Sequence, residues 1–423
     1  MGGSLLQYYY CDKKRLIIII SNYIIYMKNN LNNKTVLVTD ASMRIALYVI
    51  RSLGKKKIKI IVVESKDIPL SENIGFKSKY IYKKYLISSK KNKEQYLNDI
   101  ARISKECDCL IPVHFQTIEL ISQNINVFKH IKKLIPNNEK LEESNDTYKL
   151  LKLAQKISVP IPKTYFIDNL EQIEKILPEL EFPVIIKVKK EENILPPKRH
   201  IIVHKKENFI QSYKNLHSLQ EFPIIQKYIK GTGIGFFALY VKNSQIKALF
   251  CHERLREYPI TGGPSTLCKS IYDEKLIEYG KKILDELKWQ GVAMVEFKKE
   301  YSTNEYKLME INPRFWGSLP LAIKSGVDFP YLLYKLINEE NFDSIKNYEH
   351  GIKLRFLVTD IVSGLSHLSN RHFKQFFYFV RDLFNFKIKE GILSLTDFKP
   401  TLSYLKKYFN YFLNSIYLWK RKN

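Results

Sequence analysis

Apolar and polar positions change their period several times along this chain, and each change marks an element. Thr35-Val-Leu-Val-Thr-Asp40, Arg44-Ile-Ala-Leu-Tyr-Val-Ile-Arg-Ser-Leu-Gly54 and Ile58-Lys-Ile-Ile-Val-Val-Glu64 read in turn as strand, helix and strand, a βαβ opening. Leu110-Ile-Pro-Val113 followed by Gln116-Thr-Ile-Glu-Leu-Ile121 repeats the step from strand to helix, and Phe182-Pro-Val-Ile-Ile-Lys187 predicts a strand that ends on a lysine. Further on, Gly291-Val-Ala-Met-Val-Glu-Phe297 and Lys307-Leu-Met-Glu-Ile-Asn-Pro-Arg-Phe-Trp-Gly317 flank the polar Tyr301-Ser-Thr-Asn-Glu305, which predicts a hairpin. Near the end, Leu402, Leu405, Phe409, Phe412, Ile416 and Trp419 recur at roughly helical spacing beside Lys406, Lys407, Lys420 and Arg421. That stripe predicts an amphipathic helix, either packed on the protein or touching a membrane surface.

The hairpin carries the candidate chemistry. Alternation sends Glu310, Asn312 and Arg314 to one face of the second strand, and Glu296 stands near the end of the first. Two carboxylates and a carboxamide around one point suit Mg²⁺ (or Mn²⁺), a hard cation that takes oxygen ligands and leaves room for phosphates. Arg314 is then placed to touch a transferring phosphoryl group. Any half-exposed strand also alternates, so the pattern gains weight from the rest of the chain. Lys187 ends its strand where an ammonium can meet phosphate oxygens. Backbone groups of Gln226-Lys-Tyr-Ile229 can address an adenine edge, with Tyr228 or Ile229 against the ring. Gly231, Gly233 and Gly235 permit a sharp turn after that strand. Arg254 and Arg256 share a strand face and can clamp an anionic substrate group, although a surface ion-pair ladder explains them as well.

In this order and at this spacing, over roughly three hundred residues, the segments resemble the ATP-grasp superfamily, in its carbamoyl-phosphate-synthase-like carboxylate–amine ligase branch. Residues 35–64 look like the family's first βαβ unit, and Asp146 with Leu153–Thr164 looks like the entry to the grasp domain. Ile224–Gly235 looks like the adenine hinge, and His252–Pro259 with Gly262-Gly-Pro-Ser-Thr266 like the acceptor-facing segment. Gly351-Ile-Lys-Leu-Arg-Phe356, Asp360, Asp397 and Pro400 resemble the branch's C-terminal extension. The resemblance implies an α/β chain: an N-terminal tail (1–33), a Rossmann-like pre-ATP-grasp domain (34–140), an ATP-grasp fold of two α+β lobes clamping ATP (141–330, lid about 150–228) and a mostly helical C-terminal extension (331–423). It also implies ATP and Mg²⁺ as cofactors, small-molecule carboxylate and amine substrates, and a homodimer as one assembly. ATP would phosphorylate the acid, and the amine would attack the acyl phosphate.

Three departures accompany the likeness. Relatives have Asp-Lys where this chain has Asp146-Thr147, so Lys149 is the nearest replacement cation. The Gly-rich phosphate loop is replaced by Lys189-Lys-Glu-Glu-Asn-Ile-Leu-Pro-Pro-Lys-Arg199, which has no glycine, so Lys198 and Arg199 are expected to grip phosphates by charge. Glu253 stands where a second basic residue is expected.

Composition changes this picture little. A chain of 423 residues has room for two or three modules. Five cysteines (11, 107, 109, 251 and 268) make neither a disulfide framework nor a zinc knuckle, which fits a reducing cytoplasm. The net charge of +26 would by itself suggest nucleic acid or an anionic membrane. Lysine far outnumbers arginine, isoleucine and asparagine are abundant, and no nucleic-acid motif accompanies the charge, so nucleic acid is set aside. Lys13–Met27 has a basic start and an apolar centre but lacks a small-residue cleavage site and is too short to span a bilayer, so a chain begun at Met27 should keep its core. Two rival readings stay open: a nucleotide-binding protein without turnover, and a basic surface-binding protein on this scaffold.

Overall fold

The computed structural model describes residues 34–190, 199–242 and 244–409. The expectations for the N-terminal tail, Cys11, Lys198, and the distal stripe of Phe412, Ile416, Trp419, Lys420 and Arg421 fall outside those residues.

Strands β1 (Thr35–Val38), β2 (Lys59–Ser65), β3 (Lys83–Ile87) and β4 (Cys109–Ile111) form a parallel sheet of order β3-β2-β1-β4. Helices α1 (Arg44–Lys55) and α2 (Phe115–Gln123) follow β1 and β4. The predicted βαβ opening is therefore present. A parallel strand is covered on both faces, which is why β1 is a continuous apolar run. Val36 and Val38 enter one core with Leu53 of α1, and Leu37 enters another with Ile118 of α2.

Strands β5 (Thr164–Tyr165), β6 (Val184–Lys187), β7 (His200–Val203) and β8 (Ile224–Lys227) make a small antiparallel sheet of order β5-β8-β6-β7. Helix α3 (Thr147–Lys156) leads into it. This sheet has its own core, built on Ile186, Val203, Phe209, Tyr213 and Ile225. In the sequence the glycine-free segment separates β6 from β7.

The third sheet contains β9 (Gly231–Tyr240), β10 (Ile246–Glu257), β11 (Ser265–Ile271), β12 (Gly291–Glu300), β13 (Tyr306–Asn312), β14 (Lys353–Arg355) and β15 (Lys389–Glu390), in the order β13-β12-β9-β10-β11-β14-β15. Period two again divides the strand: Phe237 and Leu239 join the core of Val36, while Phe236 and Ala238 join that of Leu37. The large sheet thus shares both its cores with the parallel sheet.

Helices α4 (Leu357–Ser369) and α5 (Phe373–Leu383) pack beyond β11 and β14, and a last helix begins at residue 398. Its inward face differs from the predicted stripe. Tyr404 is 3% exposed, whereas Leu402 is 55% and Phe409 61% exposed. Amphipathic spacing identifies a stripe without saying which stripe meets protein; here the buried Arg51–Asp397 ion pair at 2.9 Å fixes the chain entering that helix. No helix among the described residues is long and apolar enough to cross a membrane.

Candidate active site

The β12–β13 hairpin forms as the sequence predicts, with Glu296 directly opposite Glu310 and Met294 opposite Asn312. The register then slips, because Phe297 faces Leu308, so Met309 is an extra residue in β13. A bulge of this kind re-aims the side chains after it. Leu308 and Ile311 stay buried while Glu310 is exposed and Asn312 half-buried. Asn312 Nδ2 donates to Glu310 Oε1 at 2.7 Å, and Arg314 Nη2 donates to Asn312 Oδ1 at 3.0 Å. The three alternating residues are thus linked in a row.

Directly opposed carboxylates in a strand pair repel. Burial pushes the Glu296 carboxyl above its usual range, and the Glu310 charge adds to this. Arg254 pulls the other way, with its Nη2 2.7 Å from Glu296 Oε2. A divalent cation between the carboxylates would relieve the same repulsion, so the donor set fits Mg²⁺. Among the described residues no three His, Cys, Asp or Glu side chains converge on a metal position, so an ion here would draw on the Asn312 amide and on ligand oxygens.

Arg254 reaches Glu296 from β10 across β9, and glycine permits that path. A Cβ at Gly233 would lie 2.7 Å from Arg254 Cδ. Gly231, Gly233 and Gly235 lie within strand β9 and not in the turn expected for them, and none of the three has positive φ. They are small because neighbours cross over them: the Lys299 carbonyl at Gly231, Arg254 at Gly233, and Phe237 at Gly235.

The expected Arg254–Arg256 clamp does not form. A register shift between the two residues separates their roles. Arg256 is buried, with Nε and Nη2 on Asp360 at 2.9 and 2.8 Å and Nη1 on Asp382 at 2.7 Å. A guanidinium committed to two buried carboxylates cannot also hold substrate, so Arg256 fastens α4 and α5 to the sheet. Glu253 pairs with Lys269 at 3.0 Å.

On the nucleotide side, β8 lies inside its sheet, which corrects part of the hinge expectation. Gln226 is buried and its amide donates to Thr164 Oγ1 at 2.8 Å. The Lys227 N–H is taken by the Lys163 carbonyl and the Tyr228 N–H by the Pro183 carbonyl. Those two N–H groups therefore do not address adenine, and the Lys227 ammonium pairs with Glu181 at 2.9 Å. Ile229 is buried at the crossing to β9, and its carbonyl accepts from Lys298 Nζ at 3.3 Å. Lys298 also lies 5.2 Å from the Tyr228 ring centre, and burial lowers its ammonium pKa. Two residues from Glu296 on β12, Lys298 links hinge and carboxylates, and its alternation with Glu296 was the available signal. Lys187 ends β6 opposite His200, with Arg199 just before β7. Asp146 caps α3 by accepting from the exposed Lys149 N–H at 3.0 Å, and the Thr147 N–H donates to the Lys189 carbonyl at 2.7 Å. The start of α3 therefore touches the chain just past Lys187.

Sequence reasoning missed a polar cluster at the C-terminal ends of the parallel strands. Order β3-β2-β1-β4 reverses between β1 and β4, where α/β sheets bind ligands. Asp40, at φ 59°, is buried there and held by Lys90 Nζ at 2.6 Å, Thr117 Oγ1 at 2.9 Å and the His114 N–H at 3.0 Å. Lys90, first among the charges on it, keeps the Asp40 carboxyl below its usual range against the opposing effect of burial. Burial chiefly lowers the His114 imidazole pKa, and the charges of Lys90 and then Arg314 add to this.

Comparison with known proteins agrees with this architecture. Residues 251–359 match the family described as ATP-grasp in the biosynthetic pathway with Ter operon. The chain is 25% identical over 267 residues, 59% of its length, to the carbamoyl phosphate synthase large chain of Pyrococcus furiosus, and covers 25% of that protein. It is 27% identical over 196 residues, 43% of its length, to the formate-dependent phosphoribosylglycinamide formyltransferase of Sulfurisphaera tokodaii, covering 48% of it. The chain thus spans about a quarter and about half of these curated relatives. Its fold is similar to the biotin carboxylase domain dimer of Hydrogenobacter thermophilus 2-oxoglutarate carboxylase, solved with MgADP, ADP and bicarbonate, at TM-score 0.58 and 18% identity over 76% of this chain and 73% of that one. With a parallel sheet, a separate small sheet and a carboxylate-bearing hairpin in this order, the chain has a fold similar to ATP-grasp proteins, and its residues 251–359 match an ATP-grasp family.

Proposed function

We propose that this protein is an ATP-dependent ligase that joins a small carboxylic acid to an amine. The observation that carries the reading is the facing pair Glu296 and Glu310, continued through Asn312 to Arg314 and braced by Arg254. Mg²⁺, when bound by Glu296, Glu310 and Asn312, supplies charge neutralisation to the β- and γ-phosphates of ATP. Lys187 adds positive charge at the end of the small sheet. Arg314 steadies the transferring phosphoryl group. A substrate carboxylate oxygen attacks the γ-phosphorus and ADP leaves. The amine nitrogen then attacks the acyl carbon, a C–N bond forms, the C–O bond to phosphate breaks, and the amine gives up a proton. The small sheet, as the lid over residues 150–228 of a 141–330 grasp domain, excludes water that would hydrolyse the acyl phosphate. The same reading places the enzyme in the cytoplasm as a homodimer.

Glu310→Gln tests this. It removes charge from a metal ligand, and loss of such stabilisation costs several kcal/mol in the transition state. ADP release with candidate acids and amines should fall to background while the melting temperature holds; equal turnover in both proteins would refute the hairpin as the metal site. A second reading, nucleotide binding without turnover, is favoured by the glycine-free segment after Lys187. Nucleotide binding without ADP release for any acid and amine pair would establish it.

A further inference from the structure

A cavity of about 420 Å³ lies between the large sheet and the C-terminal helices, with Gly233, Arg254, Lys353, His367, Tyr378 and Arg381 in its lining. That volume suits a metabolite-sized ligand. Its inner end is Arg254, which touches Glu296 and so borders the reacting centre. Its outer wall belongs to α4 and α5, and the residues matched by the family model end at 359, near the start of α4. The wall is held rigidly. Arg256 bonds Asp360 of α4 and Asp382 of α5, Thr266 Oγ1 donates to Asp360 at 2.9 Å, and Arg355 Nη1 donates to the Asp382 carbonyl at 2.9 Å.

The charges of the lining are unequal in availability. Arg254 answers Glu296 and, at 3.8 Å, the lining's own Glu257, and Arg256 answers Asp360 and Asp382. Arg381 shares Asp382 with Arg256, at 3.3 Å, and its side chain is 59% exposed. Its guanidinium carbon also lies 5.1 Å from the Tyr378 ring centre, an arrangement that orients the planar fork. Lys353, at the start of β14, also belongs to the lining. We propose that this cavity receives the part of a substrate remote from the reacting group, and that Lys353 and Arg381 bind an anionic group there, a carboxylate or a phosphate ester. The C-terminal helices are then a specificity wall, and the ligase takes a substrate with a second, non-reacting negative charge. The assignment of the reacting end rests on the proposed ligase function; the anion site itself does not.

The test is calorimetry on the full chain with succinate, L-glutamate and O-phospho-L-serine, against succinamate, L-glutamine and L-serine as counterparts that lack the distal charge. A charge-assisted contact is worth enough that affinity for a charged probe should fall about tenfold or more in Lys353→Met/Arg381→Met. ADP binding should be unchanged, and Arg381→Lys should restore part of the affinity. Preference for the carboxylate or for the phosphate probes assigns the anion. Equal affinity for charged and uncharged probes, no binding of any probe to the wild-type chain, or full affinity in the double variant would overturn the inference. ADP release is scored separately in the same proteins, so a chain that binds anions but never turns over ATP refutes the ligase reading and leaves the anion site standing.

Discussion

His252 shows how one residue is read differently once its surroundings are known. The sequence sets it at the start of an acceptor-facing segment, yet it is 1% exposed, with Nδ1 2.9 Å from Ser318 Oγ, its ring edge-on to Phe237, and Nε2 buried without a hydrogen-bond partner. Burial, with Arg254 adding to it, holds the imidazole well below its ordinary pKa. The unfolded chain takes up a proton near pH 6.5, whereas the folded chain resists it. His252 therefore leaves stability unaffected above that pH and reduces it as the pH falls below. His252→Gln should flatten the acid side of a melting-temperature profile below about pH 6.5, while His114, His200 and His367, also lowered by burial, keep a remainder. An unchanged acid slope would mean that His252 is protonated in the folded state. Gly233 makes the complementary point, since its missing side chain is what lets Arg254 lie across β9.

At the scale of elements, the consequential contact is the one joining α4 and α5 to β10. Arg256, Asp360 and Asp382 are all buried. An ion pair of this kind adds little against a well-packed apolar alternative, but removing one partner strands the others. Arg256→Ala leaves two carboxylates without their cation and should cost about 3–5 kcal/mol in denaturant unfolding. Asp360→Asn leaves the guanidinium with Asp382 and should cost less. A loss below about 1 kcal/mol for Arg256→Ala, the size of an exposed pair, would show that water reaches these carboxylates. Because Arg254 lies two residues away on the same strand, a partial loosening would, under the proposed function, also raise the KM for the acid.

For the whole molecule, the proposed function would bring the net charge of +26 to a polyanionic nucleotide. The sequence has no glycine between Lys187 and Arg199, and on the proposed function side-chain charge would then carry more of the phosphate binding. Exposed charge contacts are screened over about 8 Å at physiological ionic strength. Nucleotide affinity measured by calorimetry should therefore fall with added salt, more steeply for ATP than for AMP, and Lys198→Ala/Arg199→Ala should reduce the difference. Parallel salt slopes for the two nucleotides would place the segment away from the outer phosphates.

The sequence by itself determined what short-range periodicity can encode. It fixed the βαβ opening, the hairpin at Tyr301–Glu305, and the shared face of Glu310, Asn312 and Arg314, because a strand's alternation needs no knowledge of its neighbours. Tertiary structure decided which partner each charge found. Arg254 and Arg256 are alike in sequence, but one meets Glu296 on β12 and the other meets carboxylates 104 and 126 residues further along the chain. Asp40 is gathered with Lys90, His114 and Thr117 through sheet order, which local pattern does not specify. The glycines of β9 and the inward face of the last helix follow the same rule. Their roles depend on what crosses over them, and a side chain's partner in space is set by packing between elements far apart in the chain.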